Sequence, residues 1–213
     1  MPHIAAQRLQ HCADLPSALE NILERGLELT GATLGNVQLM DWNGGWLEIA
    51  AQRGFDDEFL TFFRRVRAAD GSACGRALRA GEPIVIEDVT ADAEFAFCRN
   101  VMLRAGVRAV QSTPLISSSG ALVGVLSTHF PVPHRPAVDQ MGAVAALARL
   151  AATAIIQQRA RGRIADEPGG DIASAIARSE QVIKATQMQV ERSRAAVQRS
   201  EALLRRTEPR DNE

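Results

Sequence analysis

The sequence lacks the charge and hydrophobicity patterns of several large protein classes. Its 213 residues carry a formal net charge of −1, so there is no basic excess to bind a nucleic-acid backbone. No apolar run is long and unbroken enough to span a bilayer, and the first residues have neither the basic nor the apolar region of a signal peptide. We therefore expect a cytoplasmic protein with no membrane span and no nucleic-acid partner.

Cysteine and tyrosine are also scarce. The cysteines are Cys12, Cys74 and Cys98, and tyrosine is absent. An odd number of widely spaced cysteines fits reduced thiols better than a disulfide framework. Hydrophobic residues nevertheless make up 46% of the chain, which is enough to bury a core in one domain with an appendage or in two small domains.

The stretch 107–130, VRAVQSTPLISSSGALVGVLSTHF, predicts a β-hairpin at the centre of the fold. Its two apolar runs, 107–116 and 121–130, are separated by three serines and a glycine, which is a turn composition. Both faces of the second run are largely apolar, so we expect something to cover each face. Polar side chains in these runs then need partners in the protein, in water or in a ligand.

Helices and further strands flank this hairpin. Apolar spacing predicts an amphipathic helix over 16–31 and an alanine-rich helix over 137–159, and an Asn-Gly turn joins predicted strands over 34–40 and 46–51. The segments between them predict short helices over 56–66, 73–80 and 92–106 and a strand over 83–86. Together these elements indicate an α+β sandwich with a central antiparallel sheet and helices on both faces.

Three features in this order resemble a GAF domain of bacterial sensor proteins. They are GSACGRALRAGEPIVIEDVTADAEF, then GVRAVQSTPLISSSGALVGVLSTHF, then the alanine-rich helix, and the resemblance covers residues 15–160. It implies that the terminal helices pack together on one face of the sheet as a dimer or linker surface. It also implies a small-molecule pocket on the other face, with residues 56–106 as its lid. Fold resemblance leaves the ligand open.

The remaining segments define the domain organisation. Residues 1–14 and 207–213 are expected to be tails, and 161–171, which contains Pro168-Gly169-Gly170, a linker. Residues 172–206 lack glycine and proline and predict a long helix with an apolar heptad position: Ile176, Ile183, Val190, Val197 and Leu204. The partner position is polar: Ser179, Thr186, Ser193 and Ser200. We expect a weak coiled coil, a homodimer and a signalling partner contacted through this helix.

The expected function is non-enzymatic sensing or regulation, in which a small molecule binds between the sheet and the lid. Polar residues on the predicted strands are the candidates for ligand binding. They are Asn36, Gln38, Gln111, Thr113, Ser127 and His129. Which of them face the pocket depends on strand register, which the pattern leaves open. No cofactor is required by the sequence, and the ligand class is unknown.

An alternative function is thiol chemistry. Cys74 and Cys98 resemble two cysteines of the GAF-type enzyme that reduces free methionine sulfoxide, although the position of that enzyme's further cysteine falls at Arg64. A resolving thiol is needed to complete such a cycle. Buried, unreactive cysteines explain the same two residues more simply. A third hypothesis is a purely structural dimerisation module with a vestigial pocket.

Two cofactor hypotheses fit the residues less well. Bilin attachment at Cys98 would place Arg99 where phytochrome-type GAF domains usually have histidine, and the chain lacks tyrosine. His129 lies on a predicted strand and reads as a core histidine rather than a haem or metal ligand, and the histidine spacing suits no metal-ligand set. We therefore expect no metal site.

Overall fold

The computed structural model describes residues 12–166 and Glu180. Within these residues one antiparallel sheet has the strand order β3-β2-β1-β6-β5-β4. Its strands are β1 (Leu34–Asp41), β2 (Trp46–Arg53), β3 (Arg65–Val66), β4 (Ile84–Ile86), β5 (Ala109–Ile116) and β6 (Leu122–Phe130). The helices are α1 (Leu15–Thr30), α2 (Asp57–Phe62), α3 (Ala73–Ala80), α4 (Ala96–Arg104) and α5 (Val138–Asp166).

Helix α1 forms where the sequence pattern places it, because both of its ends are capped. Asp14 accepts a hydrogen bond from the backbone N–H of Ser17 at 2.9 Å, which satisfies a donor that has no partner inside the helix. Gly31 ends the helix with φ of 69°, a left-handed conformation that glycine adopts without a steric penalty. The buried side of α1, with Leu19, Ile22 and Leu23, faces the sheet.

The predicted hairpin forms the middle of the sheet. Strands β5 and β6 pair antiparallel from Ala109↔Phe130 to Ile116↔Leu122, and β6 also pairs with β1. Every residue of β6 is buried. The expectation that both of its faces are covered is therefore confirmed.

Two layers cover the two faces of the sheet. On one face α1 and α5 pack together over residues such as Val37, Leu126 and Phe130. On the other face lies a second apolar cluster that includes side chains of α2, α3 and α4. We call this second layer the lid. The α+β sandwich and the central antiparallel sheet predicted from the sequence are confirmed.

Helix α5 is long and apolar. Residues 138–161 have a window of mean hydropathy 1.3, enough by length and composition alone to cross a membrane. In this structure Ala151 and Ile155 of α5 are fully buried in the cluster that α5 shares with α1 and the sheet. The apolar composition of α5 is therefore explained by its packing as a core helix.

Some boundaries differ from the sequence predictions. The helix expected over 56–66 ends at Phe62, because Val66 pairs with Leu47 and is buried as strand β3. The helix expected from residue 92 begins at Ala96, and the carboxylate of Asp92 instead accepts a hydrogen bond from the N–H of Phe95. Helix α5 continues to Asp166 rather than to Arg159. The predicted helix over 172–206 lies outside the described residues.

Candidate functional site

A small cavity lies between the sheet and the lid. Side chains two residues apart on a strand point to the same face of the sheet. Asn36 and Gln38 of β1 therefore both point to the lid side. Ser127 of β6 pairs directly with Asn36, and His129 lies on the same side as Ser127. The lining side chains are Asn36, Gln38, Phe59, Phe63, Ser72, Ala73, Cys74, Phe95, Met102, Val110, Ser112, Ser127 and His129.

Side chains of the lid fill most of this cavity. Phe59 and Phe63 reach it from α2 and its C-terminal end, and Phe95 and Met102 reach it from α4 and its N-terminal end. The space that remains is about 10 Å³, which is room for about one water molecule. Any larger ligand therefore requires the lid to move.

Several polar atoms at the cavity lack hydrogen-bond partners within the described residues. They are the Oδ1 of Asn36, both amide atoms of Gln38 and the Nδ1 of His129. Asn36 is 3% exposed, Gln38 1% and His129 3%. Leaving a buried donor or acceptor unpaired costs about 1–3 kcal/mol. The cavity therefore holds unused hydrogen-bonding capacity that a bound molecule would satisfy.

His129 is neutral at physiological pH. Burial lowers its pKa to about 3, and a hydrogen bond with the backbone of Leu34 partly opposes this shift. The ring lies edge-on to Phe55 and Phe59, with centroids 4.9 and 5.9 Å away. Nδ1 has no hydrogen-bond partner among the described residues. In the neutral ring it accepts a hydrogen bond in one tautomer and donates one in the other.

The hydroxyl groups at the cavity are already paired. Ser112 Oγ and Ser127 Oγ lie 2.7 Å apart across β5 and β6. Ser72 Oγ accepts a hydrogen bond from the N–H of Gly75 at 3.1 Å and lies 3.4 Å from Cys74 Sγ. These contacts leave the amides and the imidazole as the groups with capacity to spare.

Both cysteines of the lid are buried thiols. Burial raises the pKa of Cys74, and a hydrogen bond with Ser72 opposes this only in part. Burial also raises the pKa of Cys98 to about 12, with smaller contributions from Cys74 and Asp70. Because the thiolate is the reactive form, both groups are poor nucleophiles at neutral pH.

Two contacts join the lid helices at its outer surface. The rings of Phe62 and Phe97 lie 5.2 Å apart between α2 and α4. Arg104 of α4 forms an ion pair with Glu58 of α2 at 2.5 Å. Phe97 is 75% exposed, so its contact with Phe62 is open to solvent.

The structure brings four of the six predicted ligand-binding residues together at the cavity: Asn36, Gln38, Ser127 and His129. Gln111 and Thr113 are also buried, but the alternation of β5 puts them on the other face, with Ala109 and Leu115 under the terminal helices. The side-chain N–H of Gln111 donates a hydrogen bond to the hydroxyl oxygen of Thr113, with Nε2 and Oγ1 3.5 Å apart.

Sequence reasoning missed Ser112 and the lid residues of the cavity. Ser112 could have been predicted from the hairpin register, because pairing of residues 112 and 127 puts both side chains on one face. Phe59, Phe95 and Met102 had no comparable signal, since their approach to the sheet depends on how the lid packs.

A family model described as a GAF domain matches residues 12–156. The chain belongs to the GAF domain family. GAF domains are typical of sensory and regulatory signalling proteins, and the predicted family resemblance is confirmed. A search of the curated proteins finds no match.

Three solved structures illustrate the shared fold. A domain of a two-component sensor histidine kinase protein from Sinorhizobium meliloti is 21% identical, with a TM-score of 0.58, and the match covers 74% of this chain and 100% of that chain. The GAF domain of a Coxiella burnetii phosphoenolpyruvate-protein phosphotransferase is 20% identical, with a TM-score of 0.64 and coverage of 76% and 94%. Free methionine-R-sulfoxide reductase from Neisseria meningitidis, solved with its substrate, is 20% identical, with a TM-score of 0.61 and coverage of 74% and 87%. At these identities the likeness concerns the fold.

Proposed function

We propose that this GAF domain is a non-enzymatic cytoplasmic sensor that binds a small molecule between the sheet and the lid. The observation that carries the proposal is the set of buried, unpartnered polar atoms of Asn36, Gln38 and His129. A cavity kept only for packing would be better filled by apolar side chains, because unpaired buried polar groups are destabilising. Single unpartnered atoms also occur elsewhere in the described residues, at Gln111, Thr128, His134 and Gln140. Four such atoms meet at this one cavity, which fits a site whose partners arrive with a ligand.

Strand β6 offers a route from the cavity to helix α5. Ser127 and His129 line the cavity, while the alternate residues Leu126 and Phe130 belong to the apolar cluster that α5 shares. A shift of β6 on ligand binding therefore changes the surface on which α5 packs. The ligand-dependent state would pass along α5 toward the C-terminal segment.

The output in this proposal is a change in pairing of the segment 172–206 within a homodimer. One heptad position is apolar and its partner position is polar, so the pairing free energy should lie near balance. A balanced equilibrium responds to a ligand that prefers one state. Cysteine introduced at Val190, with the three native cysteines replaced, should cross-link as a dimer under oxidising conditions; a monomer in all ligand states would remove this output.

The thiol enzyme is the second candidate, and Cys74 at the cavity is the observation in its favour. Burial raises the pKa of both thiols, which suppresses the thiolate that such chemistry needs. Incubation with free methionine sulfoxide and a dithiol reductant separates the two functions. We expect no turnover above a variant with both cysteines replaced by alanine.

The sensor proposal is tested by native mass spectrometry of the full chain purified from the organism that makes it. We expect a retained small molecule in the wild-type protein and its loss in Gln38→Met. Gln111→Met is the matched control, because Gln111 is an equally buried amide on the opposite face of the same sheet. The proposal would be contradicted if the wild-type protein retained no small molecule, or if both variants lost it equally.

A further inference from the structure

The side chains that line the cavity restrict the chemical class of its ligand. Among its lining residues in the described part of the chain, none is Asp, Glu, Lys or Arg. Burial lowers the pKa of His129 and raises that of Cys74, so both are neutral at pH 7. The cavity wall is thus uncharged.

An uncharged, buried lining disfavours charged ligands. Removing a carboxylate or an ammonium group from water costs several kcal/mol unless an opposite charge or several hydrogen bonds compensate it. The carboxylate of Asp70 is close enough to raise the pKa of both Cys74 and Cys98, which disfavours an anion further. Asp70 itself accepts a hydrogen bond from the backbone N–H of Arg67 at 2.7 Å.

The unpartnered atoms define the hydrogen bonds that a ligand would complete. Asn36 Oδ1 and Gln38 Oε1 are acceptors, Gln38 Nε2 is a donor, and His129 Nδ1 accepts or donates according to the tautomer of its ring. A ligand that satisfies them must carry an N–H or O–H donor and, close by, a carbonyl-type acceptor. A carboxamide, lactam or ureide group presents both on one planar edge.

The rest of the lining fits a flat apolar body. Phe59, Phe63 and Phe95 supply aromatic faces and edges, and Phe59 is itself stacked on Phe55 with centroids 3.7 Å apart. Aromatic rings favour stacked or edge-on neighbours. Since the closed space is about 10 Å³, a ring enters only when these lid side chains move aside.

From these observations we propose that the site binds a small, uncharged, planar molecule whose amide-type edge pairs with Asn36, Gln38 and His129. This inference rests on the proposed sensor function and adds the ligand class. The lining residues on the sheet, such as Asn36, Gln38 and His129, are uncharged and stay in place when the lid moves, so the site disfavours carboxylates, phosphorylated compounds and zwitterionic amino acids. Free methionine sulfoxide is such a zwitterion, so the same wall argues against the thiol enzyme.

The test uses matched neutral and anionic probes against the full chain. Benzamide and benzoate, nicotinamide and nicotinate, and uracil and orotate are compared by saturation-transfer NMR and titration at pH 7. We expect a neutral probe to bind at least about tenfold more tightly than its anionic partner. We expect Gln38→Met to weaken that binding about tenfold or more and Gln111→Met to leave it unchanged.

Thermal unfolding of each variant is measured first. If Gln38→Met does not fold, Asn36→Leu takes its place. The inference is overturned if the anionic probes bind as tightly as the neutral ones, if Gln38→Met leaves neutral binding intact, or if no probe binds. A retained molecule in the native mass spectrum would in those cases leave the sensor function standing and show that only the ligand class is wrong. If no probe binds and no molecule is retained in the native mass spectrum, both the ligand class and the sensor function are contradicted.

Discussion

Leu126 of β6 lies directly against Gly26 of α1, where an added Cβ atom would be 2.9 Å from Leu126 Cδ2. Leu126 is 1% exposed, and truncating such a leucine leaves a cavity in the core. We predict that Leu126→Ala lowers the free energy of unfolding by about 2–5 kcal/mol in urea titrations. An effect below about 1 kcal/mol would show that this contact is not part of the core.

The same contact predicts a change of sign for Gly26→Ala. In the wild type the added methyl group crowds Leu126 and should destabilise the protein, since overpacking costs about 1–3 kcal/mol. In the Leu126→Ala background the crowding is gone, and the higher helix propensity of alanine should stabilise by up to about 1 kcal/mol. Gly142→Ala in α5, where an added Cβ meets nothing within 4 Å, is the control and should stabilise in both backgrounds.

The neutral His129 predicts a pH dependence of stability. Its folded pKa of about 3 lies below the unfolded value, so as pH falls below about 6.5 the unfolded state binds a proton that the folded state does not. Stability from this group is therefore complete above pH 6.5 and declines as pH falls toward 3, with a slope approaching about 1.4 kcal/mol per pH unit.

Urea unfolding between pH 7 and pH 5 measures this slope before most carboxylates titrate. His129→Gln should reduce the slope of the unfolding free energy against pH in this range. An equal slope in the wild type and in the variant would mean that folding does not lower the pKa of His129.

The lid thiols should be slow to react. With a pKa of about 12, the Cys98 thiolate at pH 8 is roughly a thousandfold rarer than that of an ordinary thiol. Alkylation by iodoacetamide, followed site by site by mass spectrometry, should be slowed at Cys98 by about that factor or more, and denaturant should abolish the difference. Rapid labelling of Cys98 in the folded protein would contradict its burial.

The Phe62–Phe97 contact should set how readily the lid opens. Phe97 is largely exposed, so Phe97→Ala removes little core packing but loses the ring contact that joins α4 to α2. We predict faster amide hydrogen exchange in α4 with no change in β5. Val132→Ala, another exposed apolar residue, is the control, and equal exchange in the two variants would refute the role of this contact.

Much of the fold was predictable because its signals are local. Asp14 and Gly31 cap α1, Ser72 and Gly81 cap α3, and a short serine-glycine turn joins β5 to β6. Each of these features acts within a few residues, so composition and spacing are sufficient to locate it. Strand β3 was not predictable in this way, because its two residues form a strand only by pairing with β2.

The candidate site was predictable only in part, for a related reason. Asn36, Gln38, Ser127 and His129 were found as polar residues on strands, but the same rule also selected Gln111 and Thr113, which face α1 and α5. Facing depends on register, and a shift of one residue exchanges the two faces. The aromatic lid side chains depend on tertiary packing, which no short pattern encodes.

The claim that ligand binds under the lid is tested most directly by hydrogen exchange on the full chain purified from its native source. The protein is compared before and after unfolding, dialysis and refolding, which removes any retained small molecule. We predict faster exchange after removal in residues 57–104, with α1 unchanged, because lid segments are among the less stable parts of a domain. Exchange that is unchanged throughout, or changed only in α1 and α5, would contradict a ligand site between the sheet and the lid.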